Sequence, residues 1–126
     1  MQTNKKILLS DDEFAMRHIL KSILRQLAEF EFIEAKNGLE TIEMMQKEKP
    51  DLVFLDVYMP VMSGIETLHK IQEMPELKEV PIIMCTAEAS PKTVQSSIVH
   101  GAVDYVVKPF TLEVIHKKAK KWLNLK

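Results

Sequence analysis

DLVFLDVYMPVMSG, residues 51–64, opens on an unbroken apolar run, Leu52, Val53, Phe54 and Leu55, and then meets a carboxylate at Asp56. A short run of this kind with β-branched and aromatic members suits a strand buried on both faces. An ionised Asp56 inside the sheet would be uncompensated, so it belongs where the strand emerges, at its carboxyl edge. In open α/β sheets ligands bind at that edge. Pro60 and Gly64 break the run and predict a turn before a new helix.

The same grammar recurs on both sides. Upstream, Ile7, Leu8 and Leu9 form an apolar run closed by Ser10, Asp11 and Asp12, either acid a candidate cap for the next helix. In that helix Met16, Leu20, Ile23 and Leu27 recur at helical spacing, with Arg17, Lys21 and Arg25 facing elsewhere. Phe32, Ile33 and Ala35 suggest a second strand, Asn37 and Gly38 a turn, and Leu39, Ile42, Met44 and Met45 one side of a helix that ends near Lys49 before Pro50. Downstream of Gly64, Ile65, Leu68 and Ile71 mark a helix, and Ile82, Ile83, Met84 and Cys85 a strand closed by Thr86. Ser90-Pro91 reads as a helix start, with Val94, Ile98 and Val99 carrying the apolar stripe to Gly101. Residues 103–107 form a fifth strand before Lys108-Pro109. A last helix has Leu112, Val114, Ile115, Ala119, Trp122 and Leu123 on its apolar side, and His116, Lys117, Lys118, Lys120 and Lys121 make its remainder a solvated basic face.

Strands alternating with helices imply parallel strands joined by right-handed crossovers, a doubly wound α/β domain. At 126 residues the expectation is one domain over 1–126 without an output domain. The 17 basic and 18 acidic residues give a net charge of −1, which steers the chain to neither nucleic acid nor an anionic membrane. One cysteine, Cys85, lies in an apolar run and reads as a buried thiol. The apolar segment at the start is too short for a signal peptide, and nothing approaches about 20 apolar residues, so the expected location is the cytoplasm.

Parallel strands share one carboxyl edge, so Asp11, Asp12, Asp56, Thr86 and Lys108 converge there. Carboxylates so placed repel unless a cation intervenes. Mg²⁺ takes oxygen ligands and commonly shares one or two carboxylates with phosphate oxygens. None of the four histidines has metal-ligand spacing with another, and all read as surface or helix residues. A cation held by acids beside an ammonium and a hydroxyl suits a phosphoryl group. Asp56 is then the nucleophile that forms an acyl phosphate, Lys108 and Mg²⁺ neutralise charge, and Thr86 donates a hydrogen bond. The lack of a glycine-rich phosphate loop argues against a nucleotide donor.

Taken together, Asp11-Asp12, Asp56 with Met59-Pro60 and Gly64, Thr86-Ala87, and Tyr105 ahead of Lys108-Pro109-Phe110 resemble the response-regulator receiver domains of two-component signalling over essentially the whole chain. TAEA at 86–89 and YVVKPFT at 105–111 are especially similar to the stand-alone chemotaxis receivers that bind the flagellar switch. The resemblance implies a flavodoxin-like five-stranded parallel sheet of order 2-1-3-4-5 with five helices. It implies transfer to Asp56 from a phosphohistidine on a sensor histidine kinase, with Asp12 and Asp56 as direct Mg²⁺ ligands, Asp11 acting largely through water, and the main-chain carbonyl of Tyr58 as a further ligand. It also implies a cis peptide at Lys108-Pro109. Thr86 would move toward the phosphoryl group and Tyr105 into the vacated space, changing a face that includes Val94, Tyr105 and Lys118. A downstream target, either a flagellar switch or a histidine phosphotransfer protein, would read that face. The protein would be a monomer served by a phosphatase, with no nucleic-acid or membrane partner and no enzyme activity beyond its own phosphorylation and dephosphorylation.

Tyr58 departs from the chemotaxis pattern, in which a small polar amide usually stands two residues after the phosphoacceptor. At the mouth of the site it would obstruct an attacking water or a phosphatase glutamine and so slow loss of the phosphoryl group; Glu88 borders the same opening. Two other readings stand beside the switch: a degenerate receiver serving only as a binding surface, and a phosphatase of the aspartate-nucleophile kind, which would want an acid where Tyr58 stands. A relay of phosphate to a phosphotransfer protein is the alternative within the family.

Overall fold

The computed structural model describes residues 2–87 and 90–125, without the side chains of Gln2, Thr3, Pro91, Thr93 and Val94. Its elements are β1 (Gln2–Ser10), α1 (Phe14–Arg25), β2 (Glu29–Ala35), α2 (Gly38–Glu48), β3 (Leu52–Asp56), α3 (Gly64–Gln72), β4 (Ile82–Thr86), α4 (Pro91–Val99), β5 (Asp104–Val107) and α5 (Leu112–Leu123). The five strands form one sheet in the order β2-β1-β3-β4-β5, and each neighbouring pair is parallel. This is the expected flavodoxin-like order.

The central strands are apolar on both faces because both faces are covered. β3 and β4 are buried at every position. On one side Leu8, Val53, Leu55 and Met84 meet Ile42 and Met45 of α2 and Leu68 and Ile71 of α3. On the other, Ile7, Leu9, Phe54 and Cys85 meet Leu20, Ile23 and Leu24 of α1 and Ile115, Ala119 and Leu123 of α5. β2 and β5 are the edges, where burial alternates or thins. Two strand starts differ from the sequence reading. β1 begins at Gln2, with a register irregularity between Gln2 and Lys6 and Asn4 at positive φ, and β5 begins at Asp104.

Local chemistry sets the helix ends. Asn37 caps α2 by accepting the Glu40 N–H, and Ser63 caps α3 by accepting that of Glu66. The cap position of α1 is Glu13, not Asp11 or Asp12, and its side chain makes no capping bond. Asp11 instead accepts the Glu13 N–H at 2.9 Å, one residue outside the helix.

Several residues assigned to apolar stripes are exposed: Leu39 on α2, Ile98 and Val99 on α4, and Leu112 and Val114 on α5. On α4 the described buried side chain is Ser97; the Val94 side chain lies outside the described residues. On α5 the buried stripe is the narrower 115, 119, 123 series, while Val114 lines a hollow with Tyr105, Val107 and Lys118.

Candidate functional site

The strand ladders carry the functional residues to one rim. Ser10 pairs with Leu55, Asp56 with Cys85, and Thr86 with Val107. Bonds just beyond the strands hold the next residues in line. Asp11 N–H donates to the Ala35 carbonyl at 3.1 Å, Val57 N–H to that of Cys85 at 3.0 Å, and Lys108 N–H to that of Thr86 at 2.8 Å. Asp11, Asp56, Thr86 and Lys108 therefore meet although they come from four strand ends, and the Lys108-Pro109 peptide is cis.

Lys108 Nζ donates to Asp11 Oδ2 at 2.8 Å and to Asp56 Oδ1 at 3.3 Å. Both acids are buried, whereas Asp12 is exposed at the lip. One carboxylate oxygen from each of Asp11, Asp12 and Asp56 falls within 4.8 Å of the others. Burial, and then the negative charge of Asp11, push Asp56 from an ordinary 3.8 up to about 6, against the pull of Lys108. Burial alone would lower the Lys108 pKa. The hydrogen bond to Asp11 and the charge of Asp56 outweigh it and raise the value. The site is thus short of positive charge even with its lysine. The three donors that group together among the described residues are all carboxylate oxygens, which fit a hard divalent cation and not a soft one.

Two supporting residues lie behind this cluster. Arg17, which sequence spacing turned toward solvent, is only 6% exposed. Its Nη1 donates to the main-chain carbonyl of Asp11 at 2.6 Å and its Nε to Glu34 Oε1 at 2.8 Å, while Lys21 holds the other oxygen of Glu34. Gly64 is needed for space, since a Cβ there would stand 2.1 Å from the main-chain oxygen of Asp56. Its N–H donates to the Val57 carbonyl at 2.8 Å, closing the loop that presents Asp56.

The sequence profile of the response regulator receiver domain matches residues 7–120. This chain belongs to the response-regulator receiver family. The receiver is 39% identical to the chemotaxis protein CheY-3 of Vibrio cholerae over 121 residues, 96% of this chain and 93% of that one. It is 35% identical to the sporulation initiation phosphotransferase F of Bacillus subtilis over 123 residues, 98% of this chain and 97% of that one. Among solved structures, the V. cholerae chemotaxis protein CheY4 superposes with a TM-score of 0.88 at 32% identity, covering 96% of the receiver and all of that chain.

The remaining residues singled out in the sequence lie partly at the receiver's rim and partly along β5. Thr86 is 1% exposed at the end of β4, and the Tyr58 side chain is 62% exposed beyond β3. Tyr105 is half-buried on β5, with Lys118 Nζ 5.5 Å from its ring centre. Lys118 also donates to Asp104, which accepts Trp122 Nε1 on its other oxygen at 3.2 Å. These contacts tie α5 to the start of β5. Glu88 and Ala89 lie outside the described residues. No helix among those described is long and apolar enough to cross a membrane.

Proposed function

We propose that this receiver accepts a phosphoryl group on Asp56 from a phosphohistidine of a sensor histidine kinase. The supporting observation is the Lys108 ammonium shared between Asp11 and Asp56 with a third acid beside them. An Asp56 oxygen attacks phosphorus in line with the breaking P–N bond, and the electron pair returns to the donor imidazole, which takes up a proton. Asp56 needs no general base, because its carboxylate is the reacting form. Lys108 neutralises the equatorial oxygens, and the Thr86 hydroxyl donates to one of them.

Mg²⁺ is the ion proposed for the acid cluster, held by Asp11, Asp12, Asp56 and the Tyr58 main-chain carbonyl. When bound it supplies positive charge to the incoming phosphoryl group. Lys108 then exchanges a carboxylate contact for a phosphoryl contact, and Thr86 moves with it. Tyr105 follows Thr86 and alters the face formed by α4, β5 and α5, which a downstream protein reads. Shifting such an equilibrium from 1:99 to 99:1 takes roughly 5.5 kcal/mol of differential interaction. A few charge-assisted hydrogen bonds are of that order.

The chemotaxis relatives support a motor-type target for that face. The B. subtilis phosphotransferase relative supports the second reading, in which the phosphoryl group passes on to a histidine phosphotransfer protein. Incubation with acetyl phosphate, followed by intact-mass measurement, tests the shared first step. A gain of one phosphoryl group that needs Mg²⁺ and vanishes in Asp56→Asn is expected. Equal labelling with a chelator present, or in the variant, contradicts it.

A further inference from the structure

Sequence spacing pairs none of the histidines, yet the fold brings His69 of α3 and His100, just past α4, to a ring-centre separation of 5.5 Å at 77°. They share a surface hollow with Ile65, Glu66, Lys70 and Glu73. His69 Nε2 stands 3.6 Å from Glu73 Oε1, one helical turn on. That separation is too long for a good hydrogen bond. It is close to the donor–donor edge of a tetrahedral zinc site, about 3.3 Å for ligands 2.0–2.1 Å from the metal. The same bond lengths set the ring centres of two imidazoles on one ion about 5 Å apart.

A main-chain carbonyl can only accept, so His100 Nδ1, 2.7 Å from that of Ser96, is the donor, and Nε2 is the ring nitrogen left to face a metal. A backbone carbonyl orienting the far nitrogen of a histidine is the usual outer shell of a metal ligand. The acids of the hollow, Glu66 and Glu73, outnumber its one lysine, Lys70. The three donors do not yet face one point. Rotation of the His69 and Glu73 side chains, 63% and 69% exposed, would be needed to bring the three donors onto one ion.

We propose that His69, Glu73 and His100 form a second metal site, for zinc or a similar late divalent ion, which clamps α3 to the end of α4. Two imidazoles and a carboxylate select such ions over magnesium, so the site is chemically distinct from the all-carboxylate cluster. On the reading given above, α4 belongs to the responding face, and an ion held across its end would act on that response. The binding experiment stands apart from that reading.

Zinc chloride is titrated calorimetrically into the wild-type chain, His69→Gln and His100→Gln, and the histidine rings are followed by nitrogen-15 NMR. Loss of even an outer-shell partner weakens metal binding 10–100-fold, so either variant is expected to lose roughly tenfold or more in zinc affinity. In the wild type the His69 and His100 nitrogens are expected to shift while those of His18 and His116 stay put. Identical titrations in all three chains with unmoved rings would place zinc on the carboxylates and overturn the proposal. Loss in His69→Gln alone would overturn the clamp, and equal shifts at all four rings would show adventitious binding.

Discussion

Replacing Arg17 by Met keeps an unbranched apolar stem in the core and deletes the guanidinium. Two charge-assisted bonds go with it, to the Asp11 carbonyl at 2.6 Å and to Glu34 at 2.8 Å. Hydrogen bonds to charged groups contribute about 1.5–3 kcal/mol each. The Glu34 bond belongs at the low end, because that side chain is 35% exposed and keeps Lys21. The Asp11 bond is buried and belongs nearer the top. The expected loss is about 4 kcal/mol in urea unfolding at pH 7. The deficit should shrink in acid. The Lys21 hydrogen bond, working against burial and helped by Arg17, holds the Glu34 pKa below its ordinary 4.5. A depressed carboxyl gives stability that is present above the unfolded value and lost as pH falls through the folded one. Arg17→Met should also weaken Mg²⁺ binding roughly tenfold, because the main chain of a proposed ligand is no longer held. A stability within about 0.5 kcal/mol of wild type, with unchanged Mg²⁺ affinity, would refute the reasoning.

The other predictions turn on the acid cluster and its loop. Asp56→Asn should stabilise the metal-free chain at neutral pH. Its folded pKa is raised from 3.8 to about 6, so its penalty is absent below 3.8 and grows as pH rises through 6, reaching about 3 kcal/mol at pH 7. Equal denaturation midpoints for wild type and variant at pH 5 and pH 7 would contradict this. Gly64→Ala should cost about 1–3 kcal/mol or more and slow labelling by acetyl phosphate, because the new methyl must displace the Asp56 main chain. Wild-type stability and rate would show that the loop yields freely. If the Tyr58 ring, 62% exposed beyond β3, shields a phosphoryl group on Asp56 from water, Tyr58→Asn should shorten the lifetime of the phosphorylated protein; an unchanged decay would dispose of the shielding.

Sequence carried the scaffold far because β3 and β4 are buried along their whole length, and complete burial writes an unbroken apolar run. Each run ended on the residue that the structure brings to the rim. Arg17 was harder to read. It shares a helical face with Leu20 and Leu24, at i, i+3 and i+7, but a charged residue on that face reads as solvent-facing until its partners Glu34 and the Asp11 carbonyl are in view. Periodicity also misled at Ile98, Val99, Leu112 and Val114. Apolar character on a helix marks a surface to be covered, and spacing does not say whether the covering is this chain's own core. The meeting of His69 with His100 depends on how α3 and α4 lie against each other, which no local pattern encodes.

Hydride trapping bears most directly on the role given to Asp56. Borohydride reduces an acyl phosphate to the alcohol, so treatment after acetyl phosphate and Mg²⁺ should convert residue 56 to homoserine in the peptide spanning 51–64. Conversion at that position alone is the expected result. Recovery of unmodified Asp56 from a fully labelled sample, or homoserine at residue 11 or 12, would contradict it.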